Sequence, residues 1–272
     1  MSIRFGAIGG GFQHVSSTHP WKKPEHFEWK YGDTAQQATF YIDWGIVSGI
    51  SDRTSVKKYA WILESRAIIS GINEFIIKNV DSILEEYEMI FTCDKDLLAL
   101  GDKFKWTPAN GTWIENPRIP NKTKVVSMIT SNKKNTEQQR YRCQMADIYQ
   151  KSEEVDVFGR GYNFIETKEQ GLEDYMFSIS IENSSYGSYF TEKILDCFAM
   201  GTMPVYLGDP DIGEHFNMDG IIILDESFKG EMLTKELYYS RIEAIRDNLQ
   251  RVSQYNTIED WICKNYPEVL RF

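Results

Sequence analysis

Residues 177–208 read FSISIENSSYGSYFTEKILDCFAMGTMPVYLG, and their alternation of apolar and polar runs sets the architecture. The apolar run 177–181 fits a buried strand, 182–189 form a polar loop, and a helix restarts at Thr191. Residues 203–207 are a second apolar strand. A strand, helix and strand joined by short loops form a parallel βαβ unit. Open α/β sheets take their ligands at the loops leaving the carboxyl ends of such strands. The helix opens Thr191-Glu192-Lys193, so free backbone N–H groups and a lysine face the preceding loop. An anion such as a phosphate suits that place.

The same alternation of strands and helices extends in both directions. Downstream, residues 220–224 read as a strand, 231–253 as a long amphipathic helix and 257–266 as a last helix. Asp209-Pro210-Asp211 resembles a metal-binding D-x-D, but it leaves a strand and enters a turn, where Asp211 serves as an N-cap. Upstream, strands at 124–130 and 155–158 flank a helix over 137–150, and the second strand ends in Gly159-Arg160-Gly161. Pro108, Gly111, Pro117 and Pro120 interrupt the pattern, which places a boundary between domains 1–118 and 119–272.

In the first half, strands are expected at 3–8, 39–47, 58–63, 88–92 and 104–107. A helix is expected over 68–87, and a short one over 94–100 capped by Asp94. Gly9-Gly10-Gly11 suggests a dinucleotide fingerprint, but the third glycine of that pattern would fall at His14, so a turn is the better reading. Residues 14–36 read as a long irregular loop carrying His14, His19, Trp21 and Trp29. The implied fold is α/β: two Rossmann-like domains whose parallel sheets face each other across a central cleft.

Composition narrows the function. Of the 272 residues, 42% are hydrophobic, enough for a sizeable core. The net charge of −10 argues against a nucleic-acid partner, because phosphate neutralisation needs a basic face. No apolar run has the length of a membrane span and the N-terminus lacks a signal-peptide pattern. Cys93, Cys143, Cys197 and Cys263 are scattered without a CxxC, so buried thiols in a cytoplasmic protein are expected and a zinc site is not.

The loops after the second-half strands share one chemical character. Ser131, Asn132 and Arg140 follow the first strand, Arg160 the second, and Glu182, Asn183, Tyr189, Thr191, Glu192 and Lys193 the third. In a doubly wound sheet these strand ends form one rim. Arginine and lysine there neutralise a diphosphate, and a carboxylate such as Glu192 takes ribose hydroxyls. Each residue alone has a plainer reading as a surface charge or a cap.

The runs VSMITSN, QQRYRCQ, VDVFGRG, FSISIENS and GSYFTEKILDCFAMGTMPVYLG together resemble the α-1,3-fucosyltransferases of glycosyltransferase family ten. The resemblance covers residues 124–216, and W-I-L-E-S at 61–65 resembles the family's F-E-S-P segment. It implies a GT-B fold and metal-independent transfer from GDP-fucose to a glycan acceptor with inversion. On that resemblance Asn183, Tyr189, Glu192 and Lys193 hold the donor, Arg140 or Arg142 meets the diphosphate, and Glu64 is the general base. Arg66 stands where the family has proline, and Ile181 where it usually has phenylalanine.

An inverting transfer needs one base for the acceptor hydroxyl and fixed positive charge for the leaving diphosphate. Glu64, at the end of a first-half strand, supplies the first, with His14 and His19 as rival bases. Trp21 and Trp29 are candidates for stacking on an acceptor sugar. No metal or other cofactor is expected. Two alternatives share these residues: a related enzyme using another nucleotide sugar such as GDP-mannose, and a nucleotide-sugar-binding module without turnover.

Overall fold

A computed structural model describes residues 3–10, 17–34, 36–152 and 154–272. Two compact units are present. The first comprises Met1–Gly111, Gly187–Tyr189 and Tyr255–Phe272, and the second comprises Thr112–Tyr186 and Phe190–Gln254.

In the first unit the strands are β1 (Ile3–Gly9), β2 (Phe27–Tyr31), β3 (Ala38–Ile42), β4 (Lys58–Ile62), β5 (Met89–Thr92) and β6 (Phe104–Trp106). They form one sheet in the order β2-β1-β3-β4-β5-β6, with every pair parallel. Among the described residues four helices lie between the strands: α1 (Gly45–Ser51), α2 (Ile72–Lys78), α3 (Val80–Glu86) and α4 (Lys95–Leu98). A parallel sheet must be covered on both faces. Tyr41, Ala60, Ile62 and Ile90 pack with Ile46, Ile72, Ile76 and Ile83 of the helices. The alternate residues, Phe5, Phe40, Tyr59, Trp61 and Phe91, make an aromatic layer with Phe27 and Trp29.

That aromatic layer also takes in residues from 261 to 272. Tyr266 packs on Phe91 with ring centroids 5.6 Å apart, Phe272 on Phe5 at 5.8 Å, and Trp261 on Trp106 at 5.0 Å. The last helix, Ile258–Asn265, therefore completes the first unit instead of extending the second. The buried carboxylate of Glu259 accepts from Thr18 N at 2.8 Å, Thr18 Oγ1 at 2.6 Å and Trp29 Nε1 at 3.0 Å.

The first half departs from the sequence reading in three places. Residues 14–36 are not one irregular loop, because Phe27 and Trp29 bury themselves in β2 at the sheet edge. The strand expected to reach Val47 stops at Ile42, where Asp43 takes a left-handed φ of 52° and α1 begins. The helix expected over 68–87 breaks at Asn79, whose φ of −114° lies outside the helical range. Gly9 and Gly10 both have positive φ, which fits the turn reading of this glycine run.

The second unit contains β7 (Lys124–Ile129), α5 (Glu137–Ser152), β8 (Asp156–Phe158), β9 (Tyr175–Ile181), α6 (Glu192–Ala199), β10 (Met203–Leu207) and β11 (Ile222–Ile223). Its parallel sheet has the order β11-β10-β9-β7-β8. All seven residues of β9 are buried, as a central strand requires. The long helix expected over 231–253 divides at Arg241 into α7 (Lys235–Ser240) and α8 (Ile242–Val252), and the strand expected over 220–224 shortens to β11.

Candidate active site

Strand order locates the site in the second unit. From β7 the chain adds β8 on one side, then crosses back to place β9 on the other. The sheet therefore reverses direction between β7 and β9, and ligands settle at the carboxyl ends of strands at such a point. Those ends are Thr130-Ser131-Asn132 and Glu182-Asn183. The backbones meet closely here: Asn132 N donates to Arg160 O at 3.0 Å, and a Cβ at Gly159 would strike Thr130 O. Gly159 also has a φ of 111°, which only glycine adopts without strain.

Glu182 is fully buried, and it organises the loop. Thr191 N donates to its Oε1 at 2.9 Å and Thr191 Oγ1 to its Oε2 at 2.6 Å. The Lys193 ammonium lies 3.4 Å from the same carboxylate and donates to Thr191 Oγ1 at 3.0 Å. Both Glu182 oxygens are thus used inside the protein, so this residue shapes the site without facing a ligand. Thr191 is the N-cap of α6, accepting from Lys193 N as the sequence suggested. Asn183 is fastened to α5: its side-chain oxygen accepts from Gln139 at 3.1 Å and its carbonyl from Thr136 at 2.7 Å.

Beside this lies a second set of charges that sequence reasoning missed. Lys168, in a 3₁₀ turn over Lys168–Gly171, places its ammonium 2.7 Å from Asp196 and 3.5 Å from Glu192. It also sits 4.2 Å from the centre of the Trp113 ring, a cation–π contact. Asp196 accepts in addition from Thr112 Oγ1 at 2.8 Å and Trp113 N at 2.7 Å. Burial pushes the Glu192 carboxyl up, but Lys193, Lys168 and a hydrogen bond from Thr191 outweigh it and hold the group below the usual range. Burial raises Asp196 against the pull of the same lysine, and lysine itself is raised because Asp196 and Glu192 overcome its own desolvation. A signal for this cation was present in the sequence. Glu192 and Asp196 are four residues apart on one helix, where two acids repel unless a positive group joins them.

The remaining donor-site candidates differ in exposure. Ser131 is half-buried, while Asn132, Arg140 and Arg160 are exposed along the rim. Arg142 is buried and donates to Ile181 O at 2.9 Å, so it supports the end of β9, whereas Arg140 is the arginine open to solvent. Tyr189 is buried and groups with the first unit. At Asp209-Pro210-Asp211 the capping side chain is that of Asp209, which accepts from Asp211 N at 2.8 Å, while Asp211 makes no side-chain cap bond. Among the described residues no group of three or more His, Cys, Asp or Glu is arranged to hold a metal ion.

In the first unit Glu64 follows β4 and is exposed. Arg66, in place of proline, secures the same loop: it reaches Asp94 at 2.7 Å and Asp96 at 2.9 Å. His14 lies outside the described residues. His19 is buried, and its Nδ1 accepts from Trp21 N and Lys22 N, each at 3.1 Å. Burial, with Lys22 nearby, lowers its pKa to about 4, so it is neutral, and its Nδ1 lone pair anchors the loop. Trp29 is a core residue of β2, which removes it as a stacking platform, while Trp21 is 63% exposed.

Residues 119–266 match the sequence model of glycosyltransferase family 10 (fucosyltransferase) C-term. Human alpha-(1,3)-fucosyltransferase 7 is 30% identical over 181 residues, 58% of this chain and 50% of that protein. The chain spans half or less of the length of the curated relatives it matches. The crystal structure of an alpha1,3-fucosyltransferase with GDP covers 91% of this chain and 81% of its own, at 16% identity and a TM-score of 0.53. Anabaena Alr3699/HepE in complex with UDP covers 99% of both chains at 9% identity and a TM-score of 0.64. These structures share the GT-B fold with the two parallel-sheet units described above. With more than half of its residues matched by the family's own pattern, the chain belongs to glycosyltransferase family 10, the fucosyltransferase family.

Proposed function

We propose that the protein transfers fucose from GDP-fucose to a hydroxyl of a glycan acceptor, with inversion and without a metal. The observation that carries this reading is the Glu182–Thr191–Lys193 loop at the sheet's reversal point, inside the region that matches the family. A related fold crystallised with GDP supports the donor. Lys193, the exposed Arg140 and the amino end of α6 supply positive charge for the departing diphosphate. Glu192, held ionised by Lys193 and Lys168, takes ribose hydroxyls. Glu64 is the base. The acceptor oxygen attacks the anomeric carbon as Glu64 takes its proton, and the bond from that carbon to the β-phosphate oxygen breaks, with GDP leaving on the opposite side. Four buried free thiols fit a reducing, cytoplasmic setting.

The test measures both halves of the reaction. GDP raises the melting midpoint of the parent more than UDP does, and Lys193→Ala removes the GDP shift. Glu64→Gln keeps the shift but lowers GDP release from GDP-fucose, measured with N-acetyllactosamine as acceptor, by about 10²-fold or more. Transfer persists in excess EDTA. An unchanged GDP shift in Lys193→Ala removes the diphosphate role, and parent-like turnover in Glu64→Gln removes the base. A parent that binds GDP yet turns over no donor is the binding-module alternative. Faster turnover of GDP-mannose identifies the other donor.

A further inference from the structure

The first sheet has its own reversal point, between β1 and β3, and the residue at the carboxyl end of β3 there is Asp43. Its position is unusual in three respects. Asp43 is only 6% exposed, although a carboxylate is costly to bury. Its φ of 52° is left-handed, a region that non-glycine residues enter at a cost. Its side chain also continues a ladder that its backbone abandons. β3 and β4 pair in register from Thr39 with Lys58 to Ile42 with Trp61. Asp43 N still donates to Trp61 O at 2.8 Å, and then the chain turns away into α1. Beyond that point Asp43 Oδ1 accepts from Leu63 N at 2.8 Å and from Glu64 N at 3.2 Å. One carboxylate oxygen thereby holds the amides of two consecutive residues just past the end of β4.

We propose that Asp43 is a positioning residue for transfer, fixing the backbone from which Glu64 projects at the end of β4. The proposal rests on Glu64 being the base. Glu64 itself is exposed, and the backbone that carries it is held by Asp43. The placement of that backbone sets where the carboxylate can reach, and a misplacement of about 1 Å in a reacting group can lower a rate about 10²-fold. Burial raises the Asp43 carboxyl to about 6, partly offset by the bonds from Leu63 and Glu64. The fold thus tolerates an expensive group at this one strand end.

The test separates the hydrogen bond from the charge. Asp43→Gly suits the left-handed φ and removes the acceptor. Asp43→Asn keeps an oxygen that can accept from both amides. GDP release from GDP-fucose, with water and with N-acetyllactosamine as acceptors, should fall about 10-fold or more in Asp43→Gly with the KM for GDP-fucose unchanged. Asp43→Asn should stay within about threefold of the parent, and Asp43→Gly should add nothing in a Glu64→Gln background. Hydrogen exchange at the Leu63 and Glu64 amides should accelerate in Asp43→Gly. Asp43→Ser, too short to span both amides, is the second variant against loss of folding. Parent-like turnover in Asp43→Gly beside an inactive Glu64→Gln overturns the positioning role alone. Equal losses in the Gly and Asn variants, losses that multiply in the double variant, or unaltered amide exchange overturn it too. Full activity in Glu64→Gln removes the base reading instead.

Discussion

Lys168 holds two carboxylates that lie one turn apart on α6, Glu192 at 3.5 Å and Asp196 at 2.7 Å. Breaking a buried pair from one side costs more than the pair itself contributes, because a charge is left behind without a counterpart. Lys168→Met therefore leaves Asp196 without a counter-charge in a nearly dry site, beside a Glu192 that keeps Lys193. The expected loss is about 3–5 kcal/mol, read from the midpoint of urea unfolding. The loss should shrink as pH falls and the raised Asp196 carboxyl takes up a proton. Asp196→Asn in the Lys168→Met background should restore part of the stability, since the amide still accepts from Thr112 and Trp113. A Lys168→Met protein as stable as the parent would show that water reaches these acids. The sequence offers Glu192 and Asp196 as a pair in need of a cation. It offers no means of choosing Lys168, since the 23 positions between Lys168 and Glu192 contain the whole of β9. Asp43 was harder still to read, because its role depends on a φ that no local pattern announces.

At the scale of elements, legibility followed the number of neighbours an element must satisfy. β10 occupies the expected 203–207 and α6 begins after the expected cap at Thr191. Both lie in the middle of a sheet or directly on it, where apolar pattern and burial agree. Elements whose pattern continued through a bend were misjudged. Ile72, Ile76 and Ile83 do share one buried cluster, as a single helix over 68–87 would place them. Asn79 ends α2 while its carbonyl still accepts from Ile83 N at 3.0 Å, so the apolar face carries across the break. The division of 231–253 at Arg241 is of the same kind, since Arg241 carries the C-cap of α7 and the N-cap of α8. Hydrophobic periodicity reports which residues face the core, and it is blind to one residue leaving the helical range between two short helices. β2 failed for the opposite reason: Trp29 and Phe27 sit among prolines and histidines that read as loop, yet edge strands need only one partner.

At the scale of the whole molecule, the chain divides its aromatic residues unevenly, and this provides a selective probe. Of the seven tryptophans only Trp113 falls in the second unit. Intrinsic fluorescence is therefore almost entirely a reading of the first unit. That unit is closed by the last residues of the chain, through the aromatic layer and through Glu259 on the Thr18 and Trp29 donors. Deep burial raises the Glu259 carboxyl above 4.5, with the bonds from Thr18 and Trp29 acting against it. The folded state then binds this proton more tightly than the unfolded state does. Between pH 4.5 and the raised value, the folded chain carries more protons, so this group's contribution to stability declines as pH rises. Glu259→Gln removes that decline while retaining an oxygen for Thr18 N and the Trp29 indole, and an amide N–H in place of the acceptor for Thr18 Oγ1. Its fluorescence-monitored midpoint should match or exceed the parent's at neutral pH, with a flatter pH profile. Glu259→Ala leaves buried donors without an acceptor, at about 1–3 kcal/mol for each. Its fluorescence midpoint should fall by several degrees for each kcal/mol lost, with the proposed binding of GDP retained at low temperature. If Glu259→Gln proves as damaging as Glu259→Ala, the ionised carboxylate itself is what ties the last helix to β2. The sign of the pH dependence must then reverse, with stability falling as this group is protonated.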